Sequence, residues 1–148
     1  MKVNSIRVFL FLALLGGCID ADSKRAPYRY LMPSGYVGWV EIRFGVVDAR
    51  ELPVQEGFRV ARLSKEGSLQ TSSRLQDGWA KDEYYYYVGD TQQKLSDGYQ
   101  TGMINAGSTG LRGGDSHQSL RFFVGSYDQY MKHGYVNTTT PTIGPIAQ

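Results

Sequence analysis

The stretch Glu83-Tyr84-Tyr85-Tyr86-Tyr87-Val88 has the strongest β-strand composition in the chain. Tyrosine and valine favour a pleated, half-buried surface, where rings and branched carbons pack against neighbouring strands. Because side chains alternate along a strand, Tyr84 and Tyr86 share one face, and Tyr85 and Tyr87 share the other. We expect one pair to pack in a core and the other to lie at the surface.

The segments around this stretch alternate apolar and polar residues, which is the pattern of half-buried strands. In Tyr36–Val46, the apolar Val40, Ile42 and Phe44 point one way and Trp39 points the other. Gly38 in the same segment indicates a bulge or a close approach of another backbone. The remaining predicted strands are Tyr28–Met32, Phe58–Leu63, Ser68–Ser72, Thr91–Ser96 and Leu120–Val124.

Turn and loop signals separate these strands. Lys65-Glu66-Gly67 predicts a turn, and the close spacing of the strands on either side of it suggests a hairpin. The glycine- and serine-rich stretch Gly102–Ser119 predicts a long exposed loop. Near the C-terminal end, Ser126 is expected to cap a short helix that Gly134 ends.

Short strands with turn signals between them are typical of an all-β domain. We therefore predict an antiparallel β-sandwich of about six to eight short strands with one short C-terminal helix. An α+β two-layer arrangement is the alternative. The predicted β-sandwich domain spans residues 28–134, and residues 135–148 are expected to form an extended or disordered tail.

Residues 1–17 have the three parts of a secretory signal peptide. Lys2 and Arg7 give the leading region a positive charge, a run of apolar residues up to Leu15 follows, and Gly16-Gly17 supplies small residues at the end. The apolar run is shorter than the roughly 20 residues that a membrane-spanning helix needs. We therefore predict a signal peptide that is removed during export.

The end of that peptide, Leu15-Gly16-Gly17-Cys18, resembles the lipobox of bacterial lipoprotein precursors. This resemblance implies that Cys18 carries a thioether-linked diacylglycerol, that cleavage occurs before it, and that its amino group is acylated, as with palmitate. Cys18 is the only cysteine of the chain, so an intramolecular disulfide is impossible. Residues 18–27 then form a lipidated tether, and Ile19 rather than aspartate after the cysteine favours the outer membrane, if the organism has one.

Removing residues 1–17 also changes the charge balance. The full chain has 16 basic and 14 acidic residues, and the signal peptide contains two bases and no acid, which leaves 14 of each. A neutral mature domain gives no electrostatic reason to expect nucleic-acid binding. Two histidines and no second cysteine also make a structural zinc site improbable, and no cofactor is predicted.

Several blocks of the mature chain, Tyr30–Val40, Thr71–Ser73, Gly78–Tyr86 and Phe122–Ser126, together resemble a bacterial family known as domain of unknown function 6843. The blocks occur in the same order and span roughly residues 28–132. The resemblance implies a small exported domain, commonly on a lipoprotein, and provides no catalytic residues to transfer.

Two functions remain open for this domain. The favoured hypothesis is a non-enzymatic envelope protein, anchored in the membrane through Cys18, that binds a partner protein or glycan. The candidate binding surface comprises Trp39, Trp79, Asp82, Glu83, Tyr84, Tyr85, Tyr86 and Tyr87. The alternative is a cell-wall or glycan hydrolase that uses acids around Trp79, since such catalysis requires a pair of carboxylates about 5 to 9.5 Å apart.

Overall fold

The computed structural model describes residues 24–97, 102–111, 117–134 and 144–145. The predicted signal peptide and Cys18 lie outside these residues. The strands are β1 (Tyr28–Pro33), β2 (Gly38–Arg43), β3 (Val54–Gln55), β4 (Phe58–Arg62), β5 (Ser68–Gln70), β6 (Glu83–Val88), β7 (Thr91–Lys94), β8 (Ile104–Leu111), β9 (Gln118–Val124) and β10 (Gly144–Pro145). Helix α1 (Tyr127–Gln129) continues as a short π-helix, Tyr130–Gly134.

The strands form two sheets that pack face to face. The first sheet has the order β3-β4-β1-β6-β7, and the second has the order β10-β2-β9-β8, with β5 also paired to β2. Side chains from both sheets meet in a single core, where Phe122 of β9 lies 5.2 Å from Tyr30 of β1 between ring centres. This arrangement confirms the all-β, sandwich-like prediction.

Both sheets are mixed, whereas the prediction was an antiparallel sandwich. β1 pairs in parallel with β4 and with β6, and β2 pairs in parallel with β5. The chain crosses from one sheet to the other between strands and then comes back. A strand that returns in this way can run in the same direction as its neighbour, whereas two strands joined by a hairpin are antiparallel. The predicted hairpin around Lys65–Gly67 is therefore wrong, because β4 belongs to the first sheet and β5 to the second.

The core follows the alternation of β1 and β2. Tyr28, Tyr30 and Met32 of β1 are fully buried, as are Val40 and Ile42 of β2. Phe44 just beyond β2 is buried as well, so the predicted inward face of that segment is confirmed. Each of these side chains contributes roughly 1.5–3 kcal/mol by leaving water, so both strands stabilise the fold through their inward faces.

Gly38 marks the predicted close approach of another backbone. A β-carbon at this position would collide with the carbonyl group of Gly144, and the φ angle of +147° is one that other residues rarely adopt. The absent side chain allows β10 to pair with the beginning of β2. The segment 135–148, predicted as an extended or disordered tail, thus contributes Gly144–Pro145 to the second sheet.

The predicted loop Gly102–Ser119 contains an eight-residue strand instead. β8 pairs with β9 from Ile104 to Leu111, with a bulge between Asn105 and Gly107. Its glycines and serine disfavour a strand by intrinsic propensity, but an edge strand is stabilised chiefly by backbone hydrogen bonds to its neighbour. The prediction failed because composition does not report which partner strand is available.

The predicted helix cap is confirmed. The Ser126 hydroxyl accepts a hydrogen bond from the Gln129 amide, and the Gln129 side chain accepts one from the Ser126 amide. This reciprocal capping box satisfies two of the amide groups that a helix start leaves free. The helical turns that follow bring Tyr130 against Trp39 on the outer side of the second sheet. None of the helices in the described part of the chain is long and apolar enough to cross a bilayer.

Candidate functional site

The loop between β5 and β6 is fixed to the body of the domain at its first residues. Thr71 donates a 2.7 Å hydrogen bond from its hydroxyl to the carbonyl of Arg50. The hydroxyl of Ser73 accepts a 2.9 Å hydrogen bond from the Leu52 amide. Both side chains are buried, so the loop leaves the core from a defined position and presents Trp79 at its far end.

Asp82 lies at the end of this loop, where it forms an ion pair with Arg25. The two guanidinium nitrogens of Arg25 donate to the two carboxylate oxygens at 2.8 and 2.7 Å. The same carboxylate accepts a hydrogen bond from the Tyr28 amide at 2.9 Å. The hydrogen bond with Asp82 raises the pKa of Arg25, and both side chains are about 15% exposed. Asp82 is thus an acceptor for three donors at the start of β1.

Glu83 faces the other side of the first sheet and has its own set of partners. It accepts hydrogen bonds from Lys94 at 2.7 Å, from the Tyr85 hydroxyl at 3.1 Å and from Arg29 at 3.3 Å. These donors, with Lys94 foremost, hold the pKa of Glu83 below its usual range. A carboxylate that stays ionised cannot serve as a general acid at neutral pH.

The four tyrosines of β6 divide between the two faces, as the alternation predicts. Tyr84 stacks on Tyr30 with ring centres 5.1 Å apart, and Tyr86 donates from its hydroxyl to the carbonyl of Tyr36 at 2.7 Å. Tyr85 and Tyr87 face outward and lie under cations. The guanidinium of Arg62 stands 3.9 Å from the ring centre of Tyr87, which fits a cation–π contact.

The two tryptophans occupy different environments. Trp39 packs against Phe123 and Tyr130, with ring centres 5.8 and 6.3 Å away, and is partly covered by the C-terminal helical turns. Trp79 is 66% exposed. Within the described part of the chain no ring contact joins Trp79 to Trp39 or to the tyrosines of β6. The structure therefore distributes the predicted binding residues over several surfaces.

One end of the sandwich contains a cavity of about 350 Å³ between the two sheets. Aromatic rings form much of its wall, aliphatic side chains add to it, and polar groups lie among them. The lining residues include Tyr28, Tyr30, Tyr84, Phe122, Leu75, Ile104, Leu120, Arg25, Asp82, Gln76 and Asn105. Mixed apolar walls with a few converging polar groups are the usual composition of small-ligand sites.

Two polar side-chain atoms on residues that line this cavity have no hydrogen bond of good geometry within the described residues, although the Gln76 backbone lies close enough to the Tyr28 hydroxyl to oppose the rise of its pKa. They are the hydroxyl of Tyr28 and the carboxamide oxygen of Gln76, and both are buried. Leaving such a group unpaired costs about 1–3 kcal/mol, so native proteins usually satisfy it with a water molecule or a ligand. Burial also raises the pKa of Tyr28 and Tyr30, which keeps their hydroxyls protonated and able to donate.

Sequence reasoning did not identify this cavity. Tyr28 and Tyr30 were predicted as strand residues, and Arg25 was placed in the tether. Gln76 lies in a polar loop with no motif around it. The only available signal was Asp82 beside a tyrosine-rich strand, and that signal does not reveal that Arg25 is its partner.

A second concavity, of about 620 Å³, lies where the chain passes from β4 to β5. Its walls include Glu41, Arg43 and Arg62, and the carboxylate of Glu41 lies 3.8 Å from the guanidinium of Arg43. No buried unpaired polar atom of the described residues faces this concavity. The described residues also bring no three histidine, cysteine or acidic side chains together in a way that could hold a metal ion.

Comparison with known proteins gives a family and a fold. A crystal structure of a "Putative Lipoprotein from Bacillus anthracis" is similar to this chain, with a TM-score of 0.61 and 23% sequence identity. The match covers 79% of this chain and 82% of that one. No curated protein matches the chain. The sequence matches the Family of unknown function (DUF6843) over residues 24–137, which is most of its length, and so the chain belongs to that family.

Proposed function

We propose that this protein is a membrane-anchored lipoprotein of the bacterial envelope and that its domain is a binding module. Cys18 carries the lipid, and the cavity at the end of the sandwich receives a polar group of a glycan or a partner protein. The observation that carries the binding role is the cavity itself, whose aromatic wall also contains polar residues, among them Arg25, Gln76 and Asn105.

Two features support the anchor. The sequence Leu15-Gly16-Gly17-Cys18 ends an apolar export segment, which is the position that a lipobox occupies. The structurally similar Bacillus anthracis protein is itself described as a "Putative Lipoprotein". Two or three acyl chains give stable anchoring, because each buried methylene group contributes about 0.8 kcal/mol.

The arrangement of the acids supports binding over glycan hydrolysis. Asp82 and Glu83 engage separate groups of cations, so they do not form a pair of carboxylates with one free to donate a proton. Phenolic hydroxyls and an amide oxygen match the hydroxyls of a sugar, and the flat face of a pyranose suits an aromatic wall. A saccharide is accordingly the first ligand to test.

The anchor is tested by the intact mass of the protein isolated from its native host, together with its partition into detergent. We expect a mass equal to residues 18–148 plus acyl chains. The Cys18→Ala variant should lack the acyl mass, and any product of it from which residues 1–17 have been removed should leave the detergent phase. An unmodified wild-type product would refute the anchor. Fractionation of inner and outer membranes tests the further prediction from Ile19.

The binding role is tested by titrating the mature Cys18→Ser protein with short N-acetylglucosamine oligosaccharides while recording methyl NMR spectra. Ile104 and Leu120 line the cavity, so their methyl signals should shift. Tyr28→Phe removes the unpaired hydroxyl and should weaken binding about tenfold, because one hydrogen bond to a ligand contributes about 1.4 kcal/mol. Tyr87→Phe, outside the cavity, is the control. Methyl signals that move equally in all variants, or not at all, would contradict saccharide binding there.

A further inference from the structure

The chain enters its folded domain directly beside Trp79. Lys24 forms a parallel β-bridge with Trp79, and the amide of Arg25 donates to the Trp79 carbonyl at 3.3 Å. The Arg25 side chain donates to the Gly78 carbonyl at 3.1 Å. Because Asp82 holds the same guanidinium in an ion pair, the entry point of the chain is fixed to the loop that carries Trp79.

Trp79 is a large apolar ring left in solvent by the fold. The other large hydrophobic side chains that are strongly exposed in the described residues are Val47, Val54, Val88 and Met131, none of them aromatic. Tryptophan suits the boundary between water and lipid, since its ring is apolar while its N–H can still bond to water or headgroups. Trp79 lies where the chain enters the folded domain, so a lipid anchor on Cys18 would hold this ring near the boundary between water and lipid.

Two exposed lysines, Lys24 and Lys81, lie in the segments that flank Trp79 at this edge, and Asp97 lines a concavity next to Lys81. Residues 24–25 and the loop 73–82 together contain Lys24, Arg25, Arg74 and Lys81 against Asp77 and Asp82, a net charge of +2. The mature chain as a whole is formally neutral. Lys24 and Lys81 are exposed, and Arg25 is already neutralised by Asp82. Each lysine near an anionic bilayer surface increases the membrane-bound population about fivefold.

Chain length places this edge close to the anchor. Lys24 is the sixth residue after Cys18, and even fully extended this stretch spans only about 20 Å. We propose that the edge formed by Lys24, Trp79 and Lys81 lies against an anionic lipid surface, with the Trp79 ring among the headgroups. This inference rests on the proposed lipidation of Cys18. It also places the end of the sandwich that contains the cavity toward the membrane, because Arg25 and Gly78 line that cavity.

The experiment supplies the anchor chemically, so that it does not depend on lipidation by a host. The mature chain with Trp39→Phe is coupled through Cys18, its single thiol, to a maleimide lipid in phosphatidylcholine vesicles containing phosphatidylglycerol. Coupling is verified by mass. On these vesicles we expect Trp79 emission to shift to shorter wavelength and to be quenched by brominated lipids. Lys24→Gln and Lys81→Gln should each lower the membrane-apposed population about fivefold.

A tryptophan introduced at position 88, the end of β6 that is farther from Trp79, is the matched control. Val88 is 65% exposed and lies at the far end of β6, about 17 Å from the beginning of the strand. In a chain with Trp39→Phe, Trp79→Phe and Val88→Trp, the introduced ring should remain in water on the same vesicles. Equal quenching at both positions would mean that the domain lies on the surface without a preferred edge, and it would overturn the inference.

Two other results would also overturn it. Trp79 emission on vesicles that is identical to emission in solution would show that this edge faces away from lipid. Protection of Trp79 only after envelope proteins are added would assign the edge to a protein partner. In both cases the native mass of the protein and the saccharide titration still report on the proposed function, so the two failures are distinguishable.

Discussion

At the residue scale, Asp82 joins the entry of the chain to the rest of the domain. Its carboxylate accepts hydrogen bonds from the Arg25 guanidinium and from the Tyr28 amide. Asp82→Asn removes the charge and leaves a partly buried guanidinium without its partner. We expect the free energy of unfolding to fall by about 2 kcal/mol, as measured by urea denaturation.

The exposed pair Lys65–Glu66 provides the control for this substitution. Its nitrogen and oxygen are 3.7 Å apart and both side chains are largely in water. Exposed ion pairs contribute little because water and salt screen them. Glu66→Gln should therefore change the free energy of unfolding much less than Asp82→Asn does. An equal loss in both variants would show that Asp82 acts through overall charge and not through its specific hydrogen bonds.

Glu83 gives the domain a defined response to acid. Its folded-state pKa lies below the usual value, so its contribution to stability is present above the unfolded-state pKa of about 4.3. That contribution is lost as the pH falls through the lower folded-state value. Glu83→Gln should thus be less stable than wild type at neutral pH, and the difference should shrink in acid. Unfolding curves measured over this pH range test the prediction; a constant difference would contradict it.

At the element scale, the capping box fixes the helical turns that cover Trp39. Ser126→Ala removes the hydroxyl that accepts from the Gln129 amide and should cost about 1 kcal/mol. Because Tyr130 packs on Trp39, loosening of these turns should also shift Trp39 emission to longer wavelength in a Trp79→Phe background. Ser34→Ala, in the exposed turn after β1, is the control and should change neither quantity. Unaltered Trp39 emission in Ser126→Ala would show that the turns hold their place without the cap.

The elements that sequence reasoning found are those determined by local chemistry. Alternation located β2 and β6, a small polar residue before a helical pattern located the cap at Ser126, and the lack of a side chain at Gly38 indicated a close backbone. Pairing partners were missed because they depend on residues far away in sequence. β8 has a loop-like composition and is a strand only because β9 offers it a neighbour.

The candidate site was only partly predictable for the same reason. The sequence singled out Asp82, Glu83 and the tyrosines of β6 as chemically interesting. It could not show that Asp82 is engaged by Arg25, which lies 57 residues earlier in the chain. The cavity is formed by β1, β6, β8, β9 and the β5–β6 loop together, so no single stretch of sequence contains it.

At the scale of the whole molecule, the core is built from phenols that must remain protonated. Burial raises the pKa of Tyr28, Tyr30, Tyr36, Tyr84 and Tyr86. Above about pH 10 the unfolded chain releases protons that the folded chain retains, so stability falls as the pH rises. Each tyrosine that is ionised in the unfolded chain and still protonated in the folded chain lowers the free energy of unfolding by about 1.4 kcal/mol per pH unit, against a typical total of about 5–15 kcal/mol.

We therefore expect alkaline unfolding to be cooperative and to coincide with ionisation of these tyrosines. The chain has eleven tyrosines, so the share of the phenolate absorbance that belongs to these five should rise in the same transition in which the far-ultraviolet circular dichroism is lost. Reversal on return to neutral pH distinguishes this from chemical damage. Complete ionisation before the β-sheet signal is lost would show that the core admits hydroxide without unfolding.

The order in which the strands pair has a consequence for the making of the protein. β2, near the beginning of the chain, pairs with β9 and β10 near its end, and β1 pairs with β4 and β6. Such distant pairings fold slowly, because a long loop must close before any contact is gained. The second sheet cannot be completed until almost the entire polypeptide has been synthesised. A chain with this topology therefore cannot complete its fold before its last strands have been made, and a secretory translocation channel accepts chains that have not yet folded.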